Sequence, residues 1–347
     1  MPTARSAARV RWQTLFVAAL TALLLWLFLR NVAFAEIGRA FAEARSGLII
    51  AALAVTFQTY LIRARRWQAL LAPIGPTRFR TAFRTTVIGF AVSLLIPRAG
   101  EVVRPYLLAR RESLPASASF ATIVVKRLLD LVTVLLLFAA ALPFVEVDIG
   151  PDVRTSGLVT AAIATAALVV LFISAGHPER LGGWAGRLGG LLPGRLGDAV
   201  AHFVETFVQG LAVMRQPARL VEALLWSVPL WLSLALGIWF TSLAFDLTFS
   251  YAATFIVVMF LVVGVSVPTP GAVGGFHYFY LLAVTQLFGA GEDQAAAAGL
   301  ALHALSFVPV GLVGLVFMWQ DGLTLGGLKG LRAEAKAAED RGEDDSR

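Results

Sequence analysis

Cysteine is absent from the chain, and histidine is scarce, at four in 347 residues. The first absence excludes disulfides, thiolate metal sites and cysteine nucleophiles. The histidines, His177, His202, His277 and His303, form no HExxH pair, so no metal site is expected. No Walker loop occurs, which removes ATP hydrolysis by that route. Charge is thin as well. Only 15% of residues are Asp, Glu, Lys or Arg, against about 25% in soluble domains. No large soluble domain fits, and nothing points to a cofactor or to nucleic acid.

What fills the chain is apolar. Hydrophobic residues make up 58% of it, and mean hydropathy is +0.77. This composition predicts an all-α polytopic membrane protein with room for roughly eight segments of ~20 residues. The formal charge of +7 is mostly arginine, and its placement matters more than its sum. Arg5, Arg9 and Arg11 precede an apolar run at 15–29, and Ala33-Phe34-Ala35 follows it. That pattern fits a signal peptide or an uncleaved first helix. The embedded character of everything downstream favours the helix.

Apolar runs place helices at 13–29 and 48–62, joined by a short polar linker at 30–47. A basic patch follows, with Arg63, Arg65, Arg66, Arg78 and Arg80. A short apolar run at 83–96 ends in PRAGE, residues 97–101, and a second at 102–109 leads to Arg110 and Arg111. Further helices fall at 116–142, 156–174, 220–245 and 294–319. An acidic loop (Glu146, Asp148, Asp152) separates the first two of these. The basic stretch 176–219 carries Val200, Phe203, Val204, Phe207, Val208 and Leu211 at helical spacing. It reads as an amphipathic helix on the membrane surface or packed on the protein. A run at 251–267 meets PTPG, and 272–288 follows it. The tail 331–347 is charged, lacks an apolar stripe and is expected to be disordered.

Lysine and arginine placement sets orientation. With a cytoplasmic N-terminus, Arg110 and Arg111 lie inside only if 83–96 dips in, breaks at PRAGE and returns. The same logic puts the acidic loop outside and 176–219 inside. The PTPG segment then enters from outside, and the C-terminus is cytoplasmic. The expected fold is six full transmembrane helices plus two re-entrant helical hairpins in an inverted repeat. It is one domain, 1–330, with half-repeats about 13–142 and 156–319. Eight simple crossings with unusual loops is the other reading of the pattern. Interrupted segments at matching positions of two halves point to a transporter's binding site.

Three groups of residues carry candidate chemistry. Arg98, Glu101 and Arg104 flank the first break, beside Pro97 and Gly100. At membrane depth each charge costs about 2.5–3.5 kcal/mol on insertion scales, so they must pair or face a wet cavity. Glu101 bridging two guanidiniums leaves a net positive site suited to phosphate. A solvated surface loop is the alternative. Lys126, Arg127 and Asp130 share the next helix, with the acid one turn from both bases. One carboxylate cannot neutralise two cations, so Glu101 or a ligand anion completes the set; a structural ion-pair network is compatible with either. Pro268, Pro270, Gly271, Gly274 and Gly275 interrupt the second hairpin. There, free N–H groups at a half-helix start attract anions, or small residues permit close packing. His277 and His303 are candidates to titrate near neutral pH, or ordinary packing residues.

IPRAGEVVRPYLLARR (96–111), VVKRLLDLV (124–132) and VPTPGAVGGFH (267–277) together resemble the lysylphosphatidylglycerol synthase transmembrane-region family. Arg98, Gly100, Glu101, Arg104, Arg127, Asp130, Pro270, Gly271 and Gly274 match its pattern. The resemblance implies a flippase-like, multi-pass protein of the cell inner membrane. In aminoacyl-phosphatidylglycerol synthases such a domain moves the modified lipid across the bilayer, while a separate cytosolic domain performs aminoacyl transfer. This sequence holds no such domain, so synthase activity is not carried over. His277 stands where family members often carry an acid, and His303 where they often carry arginine.

These readings converge on a non-enzymatic lipid transporter that binds an anionic phospholipid or modified phospholipid. Arg98, Arg104, Lys126 and Arg127 are expected to bind the lipid phosphate, with Glu101 and Asp130 orienting them. With no ATP site, energy comes from an ion gradient or the lipid gradient. The alternatives are a membrane enzyme acting on a lipid head group through Glu101 and Asp130, and a non-transporting partner of a lipid synthase.

Overall fold

The computed structural model describes residues 4–30, 32–96, 98–145, 155, 159, 162, 163, 165, 166, 169, 216–267, 269–323 and 330. Pro97, Pro268, the acidic loop, most of 156–174, the stretch 200–211 and the tail 331–347 lie outside the described residues. Among the described residues there are ten α-helices and no strand. They are α1 (Ala4–Leu29), α2 (Phe34–Glu43), α3 (Ser46–Leu71), α4 (Phe79–Leu95) and α5 (Ala99–Glu112), then α6 (Ala116–Ala141), α7 (Pro217–Ala244), α8 (Thr254–Ser266), α9 (Gly275–Phe288) and α10 (Glu292–Gln320).

α3, α7 and α10 have 26, 28 and 29 residues and are long and apolar enough to cross a membrane. At about 1.5 Å per residue each exceeds the ~30 Å hydrocarbon layer. α6 has 26 residues, but Lys126, Arg127 and Asp130 interrupt its apolar run. α1 meets α2 at a 72° bend, and this bent pair is a fourth candidate span. The corner is tied to α10, because the Ala33 N–H donates to Asp293 Oδ1 at 2.8 Å.

Two expectations need correcting. The linker at 30–47 contains α2, in which Ile37 is buried and Phe34 and Phe41 are exposed. Its apolar residues lie at helical spacing on a short polar segment. The helix expected to stop at Ile62 continues to Leu71 as α3. Charges at Arg63 and Arg66 do not end it: Arg66 turns inward to Asp130 and Ser227, and Arg63 lies beside the Tyr60 and Phe90 rings.

Both breaks are observed. α4 stops at Leu95 and α5 starts at Ala99, with Arg98 between them in the left-handed region at φ 62°. α8 stops at Ser266 and α9 starts at Gly275; in the connection Gly271 and Ala272 both have φ 59°. Each helix pair folds back on itself at a glycine crossing. A Cβ built on Gly100 would lie 1.8 Å from the Gly89 carbonyl oxygen, and one on Gly275 would lie 2.4 Å from the Gly264 carbonyl oxygen. Gly100 and Gly275 therefore sit in the first turns of α5 and α9 and set helix distance, rather than forming the breaks.

α3 packs along α7, α4 against α10, and α6 against α7 and α8. Small residues allow this closeness. Tyr280 of α9 packs with Ala295, Ala296, Ala297 and Ala298 of α10, and its hydroxyl hydrogen-bonds Ser242 at 2.7 Å. Buried hydroxyls on helices bond back one turn, as Thr85 does to Thr81 and Thr241 to Gly237. This satisfies them without a partner helix. Trp67, Leu70, Leu71, Leu108, Leu129 and Leu220 form an apolar cluster between α3, α5, α6 and α7, and the charged groups sit beside it.

Candidate functional site

The centre of the site is Asp130 on α6. Its Oδ1 accepts from Arg66 Nη1 of α3 at 2.5 Å, and Lys126 Nζ lies 3.9 Å from Oδ2. Arg66 is 1% exposed at its side chain and Asp130 21%. Arg66 Nη1 also reaches Ser227 Oγ of α7 at 3.0 Å, and that hydroxyl donates to the Ala223 carbonyl at 2.8 Å. The serine thus holds the guanidinium from the far side.

Arg104 of α5 is buried, with its guanidinium carbon 3.8 Å from the centroid of Trp67. Stacking on indole suits the planar, weakly hydrated guanidinium. Trp67 is itself fixed. Its Nε1–H donates to Thr122 Oγ1 at 3.0 Å, and Thr122 donates to the Ser119 carbonyl at 2.7 Å. Gly89 gives Arg104 its room, since a Cβ there would meet Arg104 Cβ at 2.8 Å. Arg63 lies beside the Phe90 and Tyr60 rings, at 5.2 and 5.9 Å. Arg63, Arg66, Arg104, Lys126 and Asp130 are near enough to act on one another's charge. Two cations, Arg66 and Lys126, thus contact the carboxylate, with Arg63 and Arg104 in the same neighbourhood. Among the described residues, Arg104 Nε and Nη2, Arg66 Nη2 and Arg63 Nε are buried without a hydrogen-bond partner.

A more open tier lies above. Arg127 pairs with Glu101, with side chains 58% and 42% exposed. Arg98 is exposed, and its Nη2 reaches the Ser266 carbonyl at 3.4 Å. That bond joins the break of the first hairpin to the end of α8, just before the second. Leu94 also lies 3.9 Å from a Cβ built on Gly271. The two hairpin tips therefore meet.

The second hairpin contributes the histidines. His277 and His303 lie with ring centroids 4.5 Å apart, flanked by Phe28, Phe276 and Phe307. His303 Nε2 bonds the Gly271 carbonyl at 2.8 Å. The Gly274 N–H donates to His277 Nδ1 at 3.4 Å. This donor at the start of α9 is already engaged, so it is not open to an anion.

Of the expected phosphate ligands, Arg104 and Lys126 come together around Asp130, whereas Arg98 and Arg127 lie at the exposed tier. Glu101 joins Arg127 rather than bridging Arg98 and Arg104, because α6 presents Arg127 to α5. Sequence reasoning read Arg63 and Arg66 as part of a basic patch following a helix and did not single out Trp67, Thr122 or Ser227. The usable signal was the i,i+3 spacing of Arg63 and Arg66, with Trp67 adjoining, while Arg65 between them turns outward to the Phe79 ring at 4.4 Å.

No curated protein matches the chain. The family described as the lysylphosphatidylglycerol synthase TM region matches residues 14–314. With its apolar spanning helices and this charged interior, the chain belongs to that family of multi-pass membrane proteins.

Proposed function

We propose that the chain carries an anionic lipid across the cell inner membrane and performs no chemistry on it. The observation that carries this reading is the cluster of buried Arg66 and Arg104 and part-buried Arg63 and Lys126 near Asp130, with guanidinium N–H groups that lack hydrogen-bond partners among the described residues. Buried charge that remains unneutralised is costly, and a phosphate head group would supply charge and acceptors together. Arg127, Glu101 and Arg98 form the approach. Glu101 and Asp130 each hold cations, which suits orientation better than acid–base work.

The transporter reading also rests on an inverted repeat with both termini cytoplasmic. The order α3, α4/α5, α6 recurs as α7, α8/α9, α10. The glycine crossings support the match, since Gly89 to Gly100 and Gly264 to Gly275 are equally spaced. Opposite orientation rests on the placement of basic residues. The test is flipping of a fluorescent anionic lipid by purified protein in liposomes. Arg104→Gln should lower the rate about tenfold or more, and Arg127→Ala should lower it less. Equal rates in wild type and both variants refute the site.

A further inference from the structure

We infer that the cluster is matched to a phosphate dianion, a phosphomonoester or diphosphate head group, rather than to the monoanionic phosphodiester of an ordinary phospholipid. This rests on the head-group reading above and goes on from it by counting charge and donors.

Guanidinium groups stay protonated in proteins. Arg63, Arg66 and Arg104 therefore face the single carboxylate of Asp130 with two positive charges in excess, before Lys126 is counted. Glu101 also faces Arg104, but it pairs with Arg127 at the exposed tier and the two charges cancel, so the excess on Arg63, Arg66 and Arg104 stands. One phosphodiester leaves at least one buried cation uncompensated. A phosphomonoester carries about −1.5 to −2 at pH 7 and a second pKa of about 6, and a diphosphate carries more charge still.

The donors give the same answer independently of charge. Nε and Nη2 of Arg104 lie on one edge of the guanidinium, the fork that grips two oxygens of an oxyanion. Both are buried and unpartnered among the described residues. Trp67 fixes the plane of that fork. Arg66 Nη2 and Arg63 Nε, from α3, add two more open donors. A phosphodiester has only two unbridged oxygens for these groups, while a phosphomonoester has three strong acceptors.

The test uses the full chain in nanodiscs of neutral phosphatidylcholine. Phosphatidate supplies the phosphomonoester, phosphatidylglycerol the monoanionic diester, and inorganic pyrophosphate the soluble anion. At pH 8 phosphatidate should bind at least about tenfold more tightly than phosphatidylglycerol. That preference should shrink at pH 5.5, where the monoester loses its second charge. Arg104→Gln should weaken phosphatidate more than phosphatidylglycerol. Arg104→Lys, which keeps the charge and loses the fork, should fall between, and melting curves check that both variants fold. Pyrophosphate that outcompetes phosphatidate supports the dianion and makes a soluble phosphate its source. Equal affinity for the two lipids, with both weakened by Arg104→Gln, overturns the dianion and leaves the head-group reading standing. Binding of none of the three, or binding untouched in both variants, overturns both.

Discussion

Alanine at Gly100 is the sharpest perturbation of the first hairpin. Its methyl would sit 1.8 Å from the Gly89 carbonyl oxygen and 2.4 Å from Ser93 Oγ. Carbon–oxygen contacts of this kind are comfortable at about 3.3 Å, so α5 must withdraw from α4 by about 1.5 Å. The obstacle is backbone, which cannot swing aside as a side chain can. Overpacking costs about 1–3 kcal/mol, sometimes more. Alanine's helix advantage over glycine, at most about 1 kcal/mol, offsets little of this in a first turn. A net loss of about 1–3 kcal/mol is expected. The withdrawal also carries Arg104 off the face of Trp67, so lipid binding should weaken with stability. Gly89→Ala probes the site end of the contact, because its methyl meets Arg104 Cβ at 2.8 Å. Gly38→Ala is the control. It lies within α2 with nothing inside 4 Å of the added methyl, and should be neutral or stabilising by up to about 1 kcal/mol. The assay is thermal melting of the purified protein with lipid binding measured in parallel. Gly100→Ala melting like the Gly38→Ala control, with binding intact, would show that the helices do not cross at this glycine.

Two further outcomes follow from the buried contacts. Asp130→Asn leaves Arg66 without its carboxylate and should cost about 3–5 kcal/mol. Adding Arg66→Met should recover much of that loss, and simple additivity in the double-mutant cycle would refute the pairing. Thr122→Val keeps shape but strips the acceptor from Trp67 Nε1–H, which should cost about 1–3 kcal/mol. Trp67→Phe on that background removes the unpaired N–H but leaves a cavity. The two changes should therefore cost less together than their sum, while anion binding falls. Full additivity, or anion binding left intact, in melting and binding assays counts against Trp67 as the support of Arg104.

The parts of this structure legible in the sequence are those fixed by local chemistry. Proline and glycine at PRAGE and PTPG interrupt helices whatever surrounds them, and the breaks fall there. Apolar runs located α4 to α10 to within a few residues. The charged middle of α6 pointed to an inward-facing ion-pair cluster, which is observed at Asp130. What could not be read is set by distance along the chain. Arg66 stays inside α3 because Asp130 and Ser227, on α6 and α7, receive it. Without those partners in view, Arg63, Arg65 and Arg66 look like the basic end of a span. The choice of Glu101 by Arg127, over Asp130 on its own helix, likewise depends on how α5 meets α6. The meeting of His277 and His303 depends on how α9 lies against α10.

The packing also bears on how the transporter proposed above would move. Rocking one half as a body against the other requires a loose seam between halves, and α4 against α10 is not loose. A Cβ on Gly314 would lie 2.4 Å from Ala91 Cβ and 2.9 Å from the Val87 carbonyl oxygen, and one on Gly311 would lie 2.9 Å from Leu94 Cδ1. Asp321 at the end of α10 adds ion pairs to Arg84 of α4 and Arg111 of α5. The first hairpin is therefore fastened to α10. The seam between α3 and α7 is the most extensive among the described helices and is crossed by Arg66 to Ser227 Oγ and by the Arg45 N–H to the Ala244 carbonyl, so it holds as well. The tip contact of Arg98 with the Ser266 carbonyl is exposed and long at 3.4 Å, and polar contacts of this kind hold little free energy. In the transporter proposed above, a motion that opens the Arg104 cluster would therefore begin by separating the tips, with the first hairpin and α10 travelling together.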